Sequence, residues 1–133
     1  MEASVAVRPE ARRKKVLLVD DCRTSLLVHE LLLSDYPYEI VKVQSGREAL
    51  DRAIEDPPDL VVLDVVMPDL DGLEVLRALR ADERTCDVPV LLVSARGDRD
   101  TMDEAARGGC SDYLTKPVDG TKLRSKVSEQ LGA

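Results

Sequence analysis

Hydrophobic residues come in short blocks along this chain. Val16 to Val19 is a continuous apolar run without alternation, the pattern of a strand buried on both faces of a parallel sheet. Leu60 to Leu63 and Val90 to Val93 repeat it, and Ile40 to Val43 is a weaker copy broken by Lys42, as an edge strand tolerates. A fifth run, Tyr113 to Thr115, is shorter and more polar. Between the runs the spacing is helical. Leu26, Leu27, His29, Glu30, Leu31 and Leu33 crowd the first gap, and Ser45 with Glu48 forms a capping box ahead of Ala49, Leu50, Ala53 and Ile54. Leu73, Val75, Leu76 and Leu79 mark a third helix, and Met102, Ala105 and Ala106 a weak fourth. A fifth carries Leu123, Val127 and Leu131 at i, i+4, i+8, with Asp119 as its cap.

Strict alternation of strand and helix with short turns predicts an α/β fold, a five-stranded, doubly wound parallel sheet with helices on both faces. No internal repeat, low-complexity tract or linker interrupts it. The last helical pattern reaches nearly to Ala133, so no output domain is expected within these residues.

Composition narrows the function. A chain of 133 residues, 44% hydrophobic, suits one globular domain. No apolar run approaches the roughly 18 residues of a spanning helix, and Met1-Glu2-Ala3-Ser4-Val5 lacks the apolar block of a signal peptide, so a cytoplasmic protein without membrane insertion is expected. Residues 1–15 hold five Lys or Arg against Glu2 and Glu10, a local +3, so the remainder carries -10 of the total -7. Residues 1–14 are therefore read as a flexible basic arm before a domain at 15–133. The acidic body argues against direct nucleic-acid binding, which depends on basic surface. Cys22, Cys86 and Cys110 are odd in number and lack a CxxC spacing, so reduced thiols are expected, Cys22 as a small buried helix residue. The single His29, mid-helix among leucines, reads as a helix residue rather than a catalytic base or phosphocarrier.

In open parallel sheets ligands sit beyond the carboxyl ends of the strands, where strand order reverses. There this chain places Asp20-Asp21 after the first strand, Asp64 after the third, Ser94-Ala95 after the fourth and Thr115-Lys116-Pro117 after the fifth. Carboxylates gathered so closely repel unless a cation neutralises them, and hard oxygen ligands suit Mg²⁺. Such a metal keeps waters and takes further oxygens from phosphate. Asp64 is then the candidate nucleophile, forming an acyl phosphate, with Lys116 and Ser94 aimed at the phosphoryl oxygens and Asp20 and Asp21 at the metal. The haloacid-dehalogenase type of phosphatase needs a second aspartate two residues past the nucleophile, where Val66 stands. Neither GxxxxGK[ST] nor GxGxxG is present, so nucleotide binding has no motif.

The assembled motifs, Leu17-Leu18-Val19-Asp20-Asp21, Leu63-Asp64 with Met67-Pro68 and Asp71-Gly72, Ser94-Ala95, and Asp112-Tyr113-Leu114-Thr115-Lys116-Pro117, resemble the receiver domain of two-component response regulators over residues 16–131. The resemblance implies the flavodoxin-like strand order 2-1-3-4-5. It implies Asp64 as acceptor of phosphate from a histidine kinase or histidine phosphotransfer protein. It implies Mg²⁺ held by Asp21, Asp64 and the backbone carbonyl of Val66, with Asp20 assisting through water, and Lys116 at the phosphoryl group. Ser94 and Tyr113 would be the switch pair that alters the face formed by the fourth helix, fifth strand and fifth helix, and Lys116-Pro117 would be cis. The readout would be a downstream protein or output domain, and the chain a monomer or phosphorylation-dependent dimer. By the same likeness Val66 and Arg96 tune phosphate lifetime, and an apolar Val66 offers no hydrogen bond to attacking water. Three classes of function follow: a phosphorylation switch without enzymatic turnover of other substrates, an aspartyl-phosphatase, and an interaction module that is never phosphorylated. Val66 speaks against the second, and Asp64, Lys116 and Asp20-Asp21 speak against the third. A receiver piece of a longer regulator is equally compatible with these residues.

Overall fold

The computed structural model describes residues 13–132. Strands β1 (Lys15–Val19), β2 (Glu39–Val43), β3 (Leu60–Asp64), β4 (Val90–Ser94) and β5 (Asp112–Thr115) alternate with helices α1 (Arg23–Leu32), α2 (Gly46–Glu55), α3 (Gly72–Ala81), α4 (Arg99–Arg107) and α5 (Gly120–Leu131). The sheet is parallel throughout in the order β2-β1-β3-β4-β5. Each strand extends one residue beyond the apolar run that predicts it. At β3 and β4 the added residues are Asp64 and Ser94, which therefore sit within the hydrogen-bonded ladder, opposite Val93 and Thr115 respectively.

Alternate strand residues serve opposite faces, which gives two cores. Leu17, Val61, Leu63 and Leu92 pack with residues of α2, α3 and α4, among them Leu50, Leu76 and Ala105. Val16, Leu18, Val62 and Leu91 pack with Leu26 of α1 and Leu123, Val127 and Leu131 of α5. Each fully buried leucine contributes about 2 kcal/mol of hydrophobic stabilisation. Edge strand β2 is only half-buried and exposes Lys42.

Local details depart from the sequence pattern in three places. In α1 only Leu26 and His29 are buried, while Leu27 and Leu31 are 53% and 71% exposed, because the helix has one neighbour face and too many leucines to fill it. Burial holds His29 below its ordinary pKa, helped by the nearby charge of Lys116, so the neutral ring is favoured. At α2 only half of the expected box forms, with Ser45 accepting from the Glu48 amide. The reciprocal box is at α3, where Asp71 and Glu74 each accept the other's backbone N–H. Cys22 is not buried. It is the exposed N-cap of α1, and all three cysteines are free thiols. Residues 1–12 of the expected basic arm lie outside the described residues, and Arg13 donates to the Pro37 and Tyr38 carbonyls at 3.3 Å each.

The second core contains one polar defect. The Tyr38 hydroxyl is buried with no hydrogen-bond partner among the described residues. An unsatisfied buried hydroxyl costs more than its removal. Tyr38→Phe is therefore expected to stabilise the chain by about 1 kcal/mol in urea denaturation, and a loss of stability would show that the hydroxyl is satisfied in solution.

Candidate functional site

Parallel pairing brings the carboxyl ends of β1, β3, β4 and β5 to one edge in that order. The chain turns from β1 to β2 on one side and continues to β3 on the other, so Asp20 and Asp64 flank the point where strand order reverses. Both are buried, at 2% and 7% exposure, whereas Asp21 faces solvent.

The two buried aspartates are held alike. Asp20 Oδ1 accepts the Cys22 amide at 2.9 Å and Asp64 Oδ1 accepts the Val66 amide at 3.0 Å, each closing a tight turn two residues on. Their other oxygens converge on one cation. Lys116 Nζ donates to Asp20 Oδ2 at 2.7 Å and to Asp64 Oδ2 at 3.0 Å. Lys116 follows β5 and precedes a cis peptide to Pro117. Ser94, fully buried at the end of β4, repeats the two-residue turn, its Oγ accepting the Arg96 amide at 3.1 Å. The Tyr113 hydroxyl donates to the Arg96 carbonyl, so Ser94 and Tyr113 grip the two polar backbone groups of one residue. Val66 is 52% exposed beside this cluster.

Charge decides what the edge can hold. Asp20, Asp21 and Asp64 each offer an oxygen within 4.8 Å of the others. Two unit charges at that spacing repel by roughly 3 kcal/mol at an effective dielectric of about 20, and by less where Asp21 meets water. Lys116 supplies one positive charge against three carboxylates. Burial is the largest influence on Asp64 and raises its carboxyl above the ordinary range, although hydrogen bonds from Lys116 and Val66 oppose it. For Lys116 burial acts downward, but Asp20 and Asp64 outweigh it and hold the ammonium above its usual value. An all-oxygen, anionic, partly open cluster fits Mg²⁺, a hard cation that takes few protein carboxylates and retains water.

Gly72, the first residue of α3, shapes the floor of the site. A Cβ there would stand 2.4 Å from the Asp64 carbonyl oxygen and 2.7 Å from the Val65 Cα, both backbone atoms that cannot yield. Its amide donates to the Val65 carbonyl at 2.7 Å. The helix thus starts against the back of Asp64, a close approach that only glycine permits.

Residues 16–128 match the family model for the response regulator receiver domain. The chain belongs to that family. Among curated relatives, the receiver is 37% identical over 113 residues to response regulator PleD of Caulobacter vibrioides, covering 85% of this chain but 25% of PleD, so it spans about a quarter of that relative's length. It is 33% identical to the polar-differentiation response regulator DivK of Brucella ovis, over 90% of this chain and 97% of DivK. Among solved structures, a putative response regulator from Chloroflexus aurantiacus superposes with a TM-score of 0.86 at 31% identity, over 92% of this chain and all of that one. Aspartate phosphorylation with Mg²⁺ is standard in this family of signalling domains, whose members interact with histidine kinases and downstream targets. No helix among the described residues is long and apolar enough to cross a membrane.

Sequence reading named Asp20, Asp21, Asp64, Ser94, Lys116, Val66 and Tyr113, and the receiver's fold gathers them at one edge. It missed the backbone amides of Cys22, Val66 and Arg96 as the groups that orient Asp20, Asp64 and Ser94. The signal was available, since an aspartate or serine leaving a strand often bonds the amide two residues on.

Lys116→Met is expected to destabilise the metal-free receiver by about 3 kcal/mol, the lower end for a buried pair because the lysine is partly exposed, since it strands buried carboxylates without a counter-charge. Mg²⁺ should then restore more stability to the variant than it adds to the parent. Urea midpoints measured with chelator and with Mg²⁺ test both statements, and equal Mg²⁺ responses would refute the second.

Proposed function

We propose that Asp64 accepts a phosphoryl group from a histidine kinase or histidine phosphotransfer protein, and that the resulting rearrangement on the face of α4, β5 and α5 controls a downstream target protein or output domain. The observation that carries this reading is Lys116 Nζ lying against an oxygen of each buried aspartate, with Asp21 within reach, at the strand-order reversal. In the proposed step an Asp64 oxygen attacks phosphorus, the new O–P bond replaces the N–P bond of a phosphohistidine, and the imidazole leaves with the electron pair. Asp21, Asp64 and the Val66 carbonyl, with Asp20 assisting, would hold Mg²⁺, which would supply positive charge to the phosphoryl oxygens. Lys116 stands where it can follow the phosphoryl group as charge moves there from Asp64 Oδ2. Turnover of the acyl phosphate is self-hydrolysis, so no catalysis on other substrates is assigned. A cytoplasmic site of action accords with this chemistry.

The link to the surface runs through Arg96. Ser94 Oγ accepts the Arg96 amide and Tyr113 donates to the Arg96 carbonyl. If Ser94 turns to donate its hydroxyl to a phosphoryl oxygen on Asp64, the Arg96 amide loses its acceptor and the loop that Tyr113 holds is free to shift. A local charge event then biases a two-state element.

Incubation with acetyl phosphate and Mg²⁺, read by intact mass, should yield one phosphate adduct, absent in Asp64→Asn and without Mg²⁺. No adduct in the parent, together with no response to beryllofluoride, would favour an interaction module that works without phosphorylation. The exposed Val66 side chain is apolar, so Val66→Asn should shorten the lifetime of the adduct by offering a hydrogen bond to the attacking water. An unchanged or longer lifetime would remove Val66 from the control of timing.

A further inference from the structure

Asp69 stands in the loop between β3 and α3, five residues past Asp64, yet its side chain serves a different element. Oδ1 accepts the Gly46 amide at 3.0 Å and Oδ2 the Arg47 amide at 2.9 Å. With Ser45 Oγ on the Glu48 amide at 3.1 Å, the first three amides of α2 are all satisfied, two of them by a residue from outside the helix. The amides of Arg47, Leu70 and Gly46 hold the Asp69 carboxyl below the usual carboxylate range, so it stays ionised at neutral pH, the form a helix N-terminus favours.

The contact is close on the backbone side as well. A Cβ on Gly46 would stand 2.8 Å from the Leu70 Cβ and 2.9 Å from the Leu70 carbonyl oxygen, so the start of α2 rests directly on the loop. The same loop is tied at its ends, by the Val66 amide to Asp64 Oδ1 and by the Gly72 amide to the Val65 carbonyl. Asp69 is the tie between those two, and among the described residues it alone joins the loop to another helix by side-chain hydrogen bonds to its amides.

We propose that Asp69 is a positioning residue for metal binding: by fastening the β3–α3 loop to the N-terminus of α2, it holds the Val66 backbone, whose amide orients Asp64 and whose carbonyl would serve as a ligand to Mg²⁺. This rests on the reading of Asp64 and the Val66 carbonyl as metal ligands. Groups that orient metal ligands are worth a tenfold or larger change in affinity when removed, and among the described residues the loop has no other anchor of this kind in its middle.

Ser45→Ala supplies the control, since it removes a cap from the same helix without touching the loop. Mg²⁺ affinity of the full chain would be measured by calorimetry alongside urea midpoints and, in the metal-free protein, hydrogen exchange of the Val66 amide. Asp69→Ala should weaken Mg²⁺ binding roughly tenfold and speed Val66 exchange. Ser45→Ala should lose comparable stability with parental Mg²⁺ affinity and Val66 exchange. Asp69→Asn, which keeps one acceptor oxygen, should fall between, and it carries the comparison if Asp69→Ala does not fold. Parental Mg²⁺ affinity in both Asp69 variants, or an equal loss in Ser45→Ala, would overturn the positioning role while leaving the site reading intact. A parent that binds no Mg²⁺ would overturn the site reading, and this inference with it.

Discussion

One ammonium between two buried carboxylates organises this molecule. Lys116 meets Asp20 and Asp64 across 96 and 52 residues of chain, and that meeting requires β5, β4, β3 and β1 to lie parallel and in one order. Without it two largely buried aspartates would face each other with only backbone amides for relief. Even with it the edge holds more negative than positive charge, two carboxylates against one ammonium, and Asp21 within 4.8 Å adds a third carboxylate. An imbalance of this kind suits a divalent cation, and Mg²⁺ with aspartate phosphorylation is standard in the receiver family.

The surrounding backbone is arranged to keep these charges in place. Asp20, Asp64 and Ser94 each close a turn onto the amide two residues later, which in the aspartates fixes Oδ1 and leaves Oδ2 to Lys116, and in Ser94 occupies the single Oγ. Gly72 lets α3 begin against the Asp64 carbonyl, and Asp69 fastens the intervening loop to α2. These ties lie around Asp64, whereas α4, like α1, buries only two residues, Thr101 and Ala105. Low burial lowers the cost of shifting such an element, which is what the proposed switch at Ser94 and Tyr113 would require of α4.

Much of this was legible residue by residue. The runs ending at Val19, Leu63 and Val93 read as buried strands because every side chain in them is apolar, which only a sheet covered on both faces accommodates. The i, i+4, i+8 leucine and valine spacing of α5 read correctly for the same reason, with all three residues buried. Where reading failed, the cause was competition between neighbours. Leu27 and Leu31 carry a buried residue's chemistry but face outward, since Leu26, His29 and Leu33 already occupy the contact with the sheet. Cys22 looked like a core residue and is an exposed helix cap because Asp20 claims its amide and turns the chain there.

The sequence by itself determined the elements, the α/β class and the set of polar residues at strand ends, because strand and helix formation depend on burial patterns within a few residues of each other. Tertiary structure alone decided which of those polar groups share a cation, which leucines of α1 remain outside and that Asp69 caps a helix it does not belong to. Those outcomes depend on strand order and on the path of loops between residues tens of positions apart. No local pattern encodes such distances, and they arise only when both faces of the sheet are covered and its carboxyl edge is assembled.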